Sequence, residues 1–240
     1  MSVTPPPDQL RLAATCIPIR SDGDGGVEVL IVQRSPGLSF GNMWTFPGGK
    51  LEPGDGELPE PGETDIAWGE PRLLAAAAAG ATRETLEETN LECTQAALGW
   101  FSHWIPPEAS TPKRFATWFF LAPEFRGDPV VATDENIDIT WIRPDDALAR
   151  YARGEFPLVA PTWVTLHDLL TVESIPTLLN NVATQGPRWH HTRSYESGAG
   201  ANVLCWSGDA AYESGDLDAP GGRNRVLADS VLGMRQLEES

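Results

Sequence analysis

The sequence has few cysteines and no long hydrophobic run. Its three cysteines, Cys16, Cys93 and Cys205, lie far apart and form no CxxC pair. Such scattered cysteines indicate reduced thiols in a cytoplasmic protein and argue against a disulfide framework. No run of eighteen apolar residues is present, and the first ten residues lack the basic and apolar regions of a signal peptide. We therefore expect a soluble protein of the cytoplasm that does not cross a membrane.

Basic residues are also scarce relative to acidic ones. The chain has 17 Lys and Arg against 34 Asp and Glu, which gives a net charge of −17 at pH 7. Proteins that bind nucleic acid normally present a basic face, so this charge argues against a nucleic-acid partner. It leaves open a phosphorylated small molecule whose phosphates contact the protein through divalent cations. The nine tryptophans exceed the usual number, so that some of them could line a site.

Apolar periodicity, turn signals and helix formers predict an α/β fold in which a mixed β-sheet is sandwiched between helices. The predicted strands are 11–20, 27–35, a short one entering the FPGG loop, 91–104, 113–124 and 136–144. The predicted helices are 71–89, 144–154 and 160–172, and residues 56–70 form a loop. Gly80 is the weak point of the first helix, because glycine costs about 1 kcal/mol relative to alanine there. Residues 176–240 are predicted to be a loop-rich extension with short strands.

The segment RETLEETNL (83–91) places three carboxylates on one face of a helix. Glu84, Glu87 and Glu88 are spaced by three and four residues, and like charges so placed cost roughly 0.2–0.5 kcal/mol per pair. They also lie near the negative end of the helix dipole, because Asn90 is a plausible left-handed stop. A solvated acidic face is one interpretation of this pattern. The other is a site in which bound cations remove the repulsion.

Two neighbouring features favour the cation site. Arg83 precedes Glu87 by four residues, so its guanidinium can hold that carboxylate. Upstream, FPGGKLEPGD (46–55) contains glycines that permit close approach of the backbone to a ligand or ion. A glycine loop followed by convergent carboxylates suits Mg²⁺, which takes oxygen ligands and bridges to substrate phosphates. Carboxylate sites accept Mn²⁺ as well, so either Mg²⁺ or Mn²⁺ is expected.

Together these two segments resemble the Nudix box, G-x5-E-x7-R-E-U-x-E-E-x-G-U, where U is aliphatic. Gly49 takes the first position, Asp55 stands where the first glutamate is usual, and Thr85 and Asn90 replace the aliphatic residue and the glycine. Residues 56–82 separate the two halves where the family has seven residues, which implies an insertion in a surface loop. The resemblance implies a Nudix hydrolase domain over 10–175 and an extension over 176–240.

The interrupted box also resembles the peroxisomal-type coenzyme A diphosphatases. SHWIPPEASTPKRFATWFFLA (102–122) and FPLVAPTWVTLHDL (156–169) are similar to segments of that branch, which makes coenzyme A or its thioesters the favoured substrate. The signature R-x3-G-x3-FPGG of other coenzyme A Nudix enzymes is not met, because Asn42 replaces its glycine. A competing signal is Pro106, fifteen residues beyond Leu91, where an ADP-ribose subgroup of the family has a proline.

The resemblance implies hydrolysis of a P–O–P bond in a nucleoside diphosphate derivative, with residues in three roles. The metal ligands would be Glu84, Glu87, Glu88 and the carbonyl of Gly49. Arg83 would orient Glu87, and the general base would come from the helix or from a later loop, where the candidates are Glu135 and Asp138. Substrate-binding candidates are Arg34, Trp104 and Arg114.

Less specific interpretations remain open for several of these residues. Glu135 and Asp138 could be an ordinary polar entry to a strand, Arg114 a solvated strand-end charge, and Trp104 a core residue. His190 and His191 would point to opposite faces of a strand and are predicted to be structural, as are the lone His103 and His167. The chain as a whole could be a Nudix-fold module that binds a nucleotide without catalysis, and its tail could pair with a second copy. Because all the glutamates after Arg83 are kept, an enzyme is favoured.

Overall fold

A mixed β-sheet lies at the centre of the chain. The computed structural model describes residues 10–38, 40–59, 63, 66–108, 114–198, 200–228 and 233–239. Its strands are β1 (Leu10–Ser21), β2 (Val27–Arg34), β3 (Trp44–Thr45), β4 (Gly48–Lys50), β5 (Glu92–Cys93), β6 (Gly99–Ile105), β7 (Arg114–Ala122), β8 (Phe125–Arg126), β9 (Asn136–Ile142), β10 (Arg188–His191), β11 (Arg193–Glu196), β12 (Asn202–Cys205), β13 (Asn224–Ala228) and β14 (Met234–Glu239). Its α-helices are α1 (Pro71–Thr89), α2 (Pro144–Ala152), α3 (Ala160–Leu169) and α4 (Ile175–Gln185).

Eight of these strands form the central sheet. Their order is β10-β6-β7-β1-β2-β3, with β4 paired to β1 and β9 paired to β2. β1 runs parallel to β7 and β10 runs parallel to β6, whereas β1 pairs with β2 and β4 in the antiparallel direction. The predicted mixed sheet of an α/β fold is therefore confirmed.

The central sheet separates two hydrophobic cores. Successive side chains of a strand point to opposite faces, so Ala14 and Cys16 of β1 pack toward α1, while Ile17 and Ile19 pack on the other side. The core on the side of Ile17 and Ile19 also contains buried side chains of α2, α3 and α4. Helices thus cover both faces, as predicted, and α1 has one face of the sheet largely to itself.

Helix α1 begins and ends where its sequence predicts. Glu70 is its N-cap and accepts a hydrogen bond from the amide of Leu73 at 3.1 Å, and Pro71 occupies the first turn. At the other end Asn90 adopts the left-handed conformation, with φ of 57°, and its amide donates to the carbonyl of Leu86. Asparagine tolerates this conformation, so the helix ends at Thr89, one residue past Glu88, and leaves the acidic face at its C-terminal end.

Gly80 allows a loop to pass close to the middle of α1. A Cβ at this position would lie 2.5 Å from Cδ2 of Leu51 and 2.9 Å from Oδ2 of Asp55. Real Cβ atoms do not approach other atoms so closely, so a larger residue at position 80 would force the side chain of Leu51 or Asp55 to shift. The glycine that weakens the helix on its own thus permits the contact that brings Asp55 to α1.

Several predicted element bounds are wrong. The stretch 91–104 is not one strand, because a 3₁₀ turn at Gln95–Ala97 separates β5 from β6. Helix α3 ends at Leu169, and the chain leaves it in a turn in which the amide of Val172 donates to Leu169. Thr171 and Val172 are β-branched, and such residues have low helix propensity. The apolar pattern alone therefore extended the predicted helix too far.

The segment 176–240 is more regular than the predicted loop-rich extension. Helix α4 spans the predicted domain boundary, β10 adds an edge strand to the central sheet beside β6, and β11 to β14 form a separate four-stranded antiparallel sheet. These strands are short and half exposed, and turn residues separate them. Their apolar periodicity is therefore too weak to be read from the sequence.

Cys16 and Cys93, far apart in sequence, lie next to each other in the fold. The hydrogen bond between their thiols, together with burial, raises the pKa of Cys16. All three cysteines are buried and free, as predicted for reduced thiols. In the part of the chain that the structure describes, no helix has the length and apolarity needed to cross a membrane.

Candidate metal-binding and catalytic site

The acidic face of α1 lies against the Gly48–Gly49 segment of β4. The amide of Gly48 donates to Oε2 of Glu88 at 3.1 Å, and a Cβ on Gly49 would overlap the carboxylate of Glu84. The glycine segment and α1 meet because β4 hydrogen-bonds to β1 and α1 packs on the same strand. Glu84 and Glu88, two of the three carboxylates predicted to converge on this segment, therefore lie against its backbone, whereas the side chain of Glu87 is 54% exposed.

Glu84, Glu87 and Glu88 form a carboxylate cluster, and Arg83 holds one side of it. Its Nη1 donates to Oε1 of Glu84 and to Oε2 of Glu87, both at 3.1 Å. Its Nε and Nη2 donate to the two carboxylate oxygens of Asp55, at 2.8 and 3.0 Å, and Nη2 also reaches the carbonyl of Lys50. The predicted contact of Arg83 with Glu87 is present. Asp55, which stands at the usual glutamate position of the box, therefore holds the guanidinium of Arg83 with both carboxylate oxygens.

The Asp55–Arg83 pair is strongly ionic. The side chain of Asp55 is only 3% exposed. Burial opposes its ionisation, but the hydrogen bonds from Arg83 and from the amide of Glu52 outweigh burial and lower the pKa of Asp55. The hydrogen bonds that Arg83 donates to Asp55 also raise the pKa of Arg83. Both groups thus stay charged, which fixes the guanidinium that faces Glu84 and Glu87.

Glu88 is the most buried carboxylate of the cluster. Its side chain is 4% exposed, and burial raises its pKa to about 7 although the Gly48 amide and Arg34 favour the charged form. Nη1 of Arg34 lies 3.4 Å from Oε1 of Glu88, and Nη2 of the same guanidinium donates to Oε2 of Glu135 at 3.1 Å. The structure thus brings Arg34 and Glu135, two residues predicted to have separate roles, to one end of the cluster.

The carboxylates repel one another in this arrangement. Burial raises the pKa of Glu84, Arg83 opposes that rise, and the charges of Glu87 and Glu135 add to it. Within the described ranges, no three Asp, Glu, His or Cys side chains converge closely enough to form a preassembled metal site. The reason is visible in the contacts: Arg83 draws Glu84 and Glu87 to itself, while Gly48 and Arg34 hold Glu88.

The chemistry of the donor set nevertheless fits a hard divalent cation. All the side chains are carboxylates, the glycine segment leaves no side chain over Glu84, and positive charge would relieve the repulsion between Glu84 and its neighbours. Glu87 is 54% exposed, so it can turn toward a cation without disturbing the core. The residues that would hold Mg²⁺ or Mn²⁺ are Glu84, Glu87, Glu88 and the Gly49 carbonyl.

Two predicted substrate-binding residues are buried. Trp104 is 4% exposed and its ring stacks on His190 at 4.4 Å, so the core interpretation is correct and the prediction that it stacks on a substrate base does not fit. Arg114 is 3% exposed and its Nε donates to the carbonyl of Pro106 at 3.1 Å. It is therefore not the solvated strand-end charge of the alternative interpretation, and no contact in the described part of the chain joins it to the cluster.

Asp138 also lies apart from the carboxylate cluster. Its Oδ1 accepts a hydrogen bond from the amide of Ile139, and it lies opposite Gln33 in the β2–β9 pair. Among the described contacts, none links Asp138 to Glu84, Glu87 or Glu88. Of the two predicted candidates for the general base, Glu135 is the one that the structure connects to the cluster, through Arg34.

The histidines lie outside this site, but they are not isolated. Nδ1 of His103 lies 2.9 Å from Nε2 of His191, and Trp68 of the insertion packs its ring 4.9 Å from that of His103. The sequence carried no signal for this pair, because the two histidines are 88 positions apart. His190 points the other way, toward Trp104, as the strand prediction required. His103, His190 and His191 are part of the packing of β6 and β10, whereas His167 lies on α3 beside Trp163.

The model of the NUDIX domain matches residues 9–174. A crystal structure of a NUDIX hydrolase from Alicyclobacillus acidocaldarius is similar, with 25% sequence identity and a TM-score of 0.58 over 71% of this chain and 96% of that chain. No curated protein sequence matches the chain.

Two further solved structures resemble the chain more weakly. A MutT NUDIX hydrolase from Burkholderia pseudomallei is 21% identical over 68% of this chain and 99% of that one, with a TM-score of 0.48. The NUDIX domain of Shewanella oneidensis NrtR, solved in complex with ADP ribose, is 16% identical over 66% of this chain and 84% of that one, with a TM-score of 0.47. The family model alone spans well over half of the sequence, so the chain belongs to the Nudix family and is a pyrophosphohydrolase.

Proposed function

We propose that the protein hydrolyses the diphosphate linkage of a nucleoside diphosphate derivative, with Mg²⁺ or Mn²⁺ held by Glu84, Glu87, Glu88 and the Gly49 carbonyl. The observation that carries this proposal is the convergence of the α1 carboxylates on the Gly48–Gly49 segment, with Arg83 between Asp55 and two of them. A solvated acidic face would need neither the glycine contact nor a buried Glu88.

The protein's own residues divide the work between positioning and proton transfer. A bound divalent cation supplies charge neutralisation for the diphosphate and lowers the pKa of a coordinated water. Arg83 holds Glu84 and Glu87 on the side of the cluster that Asp55 anchors. The Gly48 amide orients Glu88 from the other side. These contacts keep the carboxylates on the side of α1 that faces the Gly48–Gly49 segment.

Glu135 is the general base in this proposal. Its side chain is 60% exposed, and Arg34 holds one of its oxygens at 3.1 Å, so the other oxygen is available to accept a proton from an attacking water. Asp138 is the weaker candidate because its Oδ1 already accepts the Ile139 amide and no described contact ties it to the cluster. The prediction that follows is a larger loss of turnover in Glu135→Gln than in Asp138→Asn.

Coenzyme A or an acyl thioester of coenzyme A is the proposed substrate class. The support comes from the sequence: the box is interrupted, and 102–122 and 156–169 are similar to segments of coenzyme A diphosphatases. ADP-ribose is the second candidate, favoured by the position of Pro106 fifteen residues beyond Leu91. Both substrates present the same diphosphate to the cluster, so a direct comparison of their turnover decides between them.

One panel of substrates and variants tests the reaction. Purified wild-type protein is incubated with coenzyme A, ADP-ribose or NADH, with and without Mn²⁺, and products are separated by chromatography. We expect metal-dependent cleavage of coenzyme A, and about a hundredfold lower turnover in Glu87→Gln. Glu92→Gln removes an exposed acid just beyond α1 and should retain wild-type turnover. If Mn²⁺ raises the melting temperature and no substrate is cleaved, the protein is a binding module instead.

A further inference from the structure

Arg34 lies between two carboxylates that belong to different elements. It is the last residue of β2, and its side chain is 19% exposed. Nη1 lies 3.4 Å from Oε1 of Glu88 on α1, and Nη2 donates at 3.1 Å to Oε2 of Glu135, in the loop before β9. One guanidinium therefore joins a proposed metal ligand to the proposed base.

The backbone around Arg34 fixes this bridge. The Arg34 amide donates to the carbonyl of Met43 at 3.0 Å, and the Arg34 carbonyl accepts from Asn42 at 2.9 Å. The amide of Ser35 donates to the carbonyl of Glu135 at 2.8 Å, which places the Glu135 backbone directly beside Arg34. A planar guanidinium with several fixed donors can serve two carboxylates at once, whereas a lysine ammonium has no such fork. The backbone hydrogen bonds thus place Arg34 beside Glu135, and the guanidinium supplies the donors for both carboxylates.

The two ends of the bridge differ in strength. The 3.1 Å contact with Glu135 is a hydrogen bond, but the 3.4 Å contact with Glu88 is longer than an ordinary charge-assisted hydrogen bond. The firmer bonds of Glu88 come from elsewhere, from the Gly48 amide. Arg34 therefore neutralises Glu88 mainly through its charge, and a stronger positive charge at the same carboxylate can take over that function.

We propose that Arg34 is an internal counter-ion and positioning residue: it neutralises Glu88 until a divalent cation binds, and it holds Glu135 beside the cluster. The catalytic half of this inference rests on the proposed function, whereas the counter-ion half concerns metal binding alone. The consequence is a pair of opposite effects. Without Arg34, a cation meets a more negative cluster and binds more tightly, yet the reaction is slower because Glu135 is no longer held.

Other roles for Arg34 lead to different results. If Arg34 chiefly contacts substrate phosphate, its loss raises KM and leaves both Mn²⁺ affinity and the position of Glu135 unchanged. If Arg34 only stabilises the fold, its loss weakens Mn²⁺ binding and turnover together, because the carboxylates lose their arrangement. The sign of the change in Mn²⁺ affinity therefore separates the three interpretations before any substrate is added.

The experiment compares wild type with Arg34→Met, Arg34→Lys and the control Arg20→Met. Arg20 also pairs with a glutamate across a strand, Glu28 at 2.7 Å, but its removal leaves the cluster intact. Free Mn²⁺ is titrated into metal-free protein and followed by electron paramagnetic resonance, and the melting temperature is recorded with and without Mn²⁺. We expect Arg34→Met to bind Mn²⁺ roughly three- to tenfold more tightly and to gain more in melting temperature from Mn²⁺ than wild type.

Turnover is then measured on whichever of coenzyme A or ADP-ribose the wild type cleaves. We expect kcat of Arg34→Met to fall about ten- to a hundredfold with KM changed less than about twofold, because a displaced catalytic group costs rate and not binding. Arg34→Lys keeps the charge without the fork, so its Mn²⁺ affinity should stay near wild type while kcat remains low. Arg20→Met should match wild type in both measurements.

Weaker Mn²⁺ binding by Arg34→Met, or an unchanged kcat, would overturn the proposal, as would a rise in KM alone. If the wild type cleaves neither substrate, the proposed function fails separately, and the Mn²⁺ titration still decides the counter-ion role. A variant that melts early in the absence of metal is judged by its Mn²⁺-induced gain in melting temperature, which must exceed that of wild type for the proposal to stand.

Discussion

Two arginines hold the acidic residues of α1 from opposite sides. Arg83 contacts Glu84, Glu87 and Asp55, and Arg34 contacts Glu88 and Glu135. Removing a single partner from such a network leaves a partly buried charge without compensation, which costs more than the pair contributes to stability. The two arginines thus hold the carboxylates in place although these repel one another, and a bound cation would reduce that repulsion.

Glu88→Gln should make the metal-free protein more stable at alkaline pH. Burial raises the pKa of Glu88 from its usual 4.5 to about 7, so the folded state holds a proton that the unfolded state has lost. The stability that this proton contributes is present below pH 4.5 and is lost as the pH rises toward 7. Glutamine keeps an acceptor for the Gly48 amide and has no charge to desolvate. We expect the variant to gain up to about 3 kcal/mol at pH 8.

Urea unfolding of metal-free wild type and Glu88→Gln at pH 5 and pH 8 measures this gain. The two proteins should differ little at pH 5 and clearly at pH 8, and Mn²⁺ should stabilise only the wild type. Equal stabilities at both pH values would mean that Glu88 is ionised without penalty in the fold. The matched variant Glu92→Gln, at an exposed position beyond the helix, should show no such dependence on pH.

At the scale of elements, local signals in the sequence predicted α1 well. Pro71 at the start, Asn90 at the end and the spacing of the acids depend only on residues within a few positions of one another. The role of Asp55 was harder to predict, because it depends on how a loop crosses the helix at Gly80. The insertion lengthens the chain between the halves of the box without moving Asp55 away from Arg83, since a surface loop of this length costs little to close.

Gly80→Ala should destabilise the protein although alanine is the better helix former. Alanine favours a helix by about 1 kcal/mol over glycine, but its Cβ would overlap Cδ2 of Leu51 and Oδ2 of Asp55. Asp55 is held by Arg83 and cannot move without breaking that pair. We expect a net loss of roughly 1–3 kcal/mol in the free energy of unfolding. The exposed Ala75→Gly gives the ordinary helix cost in the same element, and a Gly80→Ala protein more stable than wild type would contradict the prediction.

Trp68 anchors the inserted loop to the central sheet. Its carbonyl accepts a hydrogen bond from Nε1 of Trp118 at 3.1 Å, and its ring packs 5.6 Å from that of Trp118 and 4.9 Å from that of His103. Trp68→Ala should therefore lower the free energy of unfolding, measured by urea titration, by about 2 kcal/mol. Mn²⁺ affinity should be unchanged, because the carboxylates follow the insertion. A free energy of unfolding equal to that of wild type would contradict this role of Trp68.

At the scale of the whole molecule, contacts between distant segments could not be predicted from the sequence. The pairing of β10 with β6 depends on residues 188–191 meeting 102–105, and neither segment has a pattern that identifies its partner. Trp104 is buried because β10 places His190 against its ring, and Arg114 is buried at the start of β7, which lies between β6 and β1. These pairings could not be read from the sequence, so both residues were predicted to face substrate. Local spacing therefore predicted that the carboxylates of α1 share one face of the helix. The exposure of the proposed substrate-binding residues depends instead on tertiary pairing, which local spacing does not reveal.

The histidines buried where β10 meets β6 should make the protein sensitive to acid. Burial lowers the pKa of His190 to about 3 and that of His191 to about 4, and it also lowers the pKa of His103. Between these values and the usual 6.5 the unfolded chain binds protons that the folded protein does not. The stability of the folded state is therefore complete above pH 6.5 and falls as the pH decreases. Each histidine adds up to about 1.4 kcal/mol per pH unit to this slope.

His190→Phe separates this effect from the titration of the carboxylates. Phenylalanine preserves an aromatic ring against Trp104, which stacks on His190 at 4.4 Å, but it takes up no proton in the unfolded state. Free energies of unfolding from urea titrations between pH 7 and pH 4 should decrease less steeply in the variant, by up to about 1.4 kcal/mol per pH unit. Carboxylates contribute equally to both proteins and cancel in the comparison. Parallel slopes would mean that His190 accepts its proton in the folded state, which would require β10 to separate from β6 in acid.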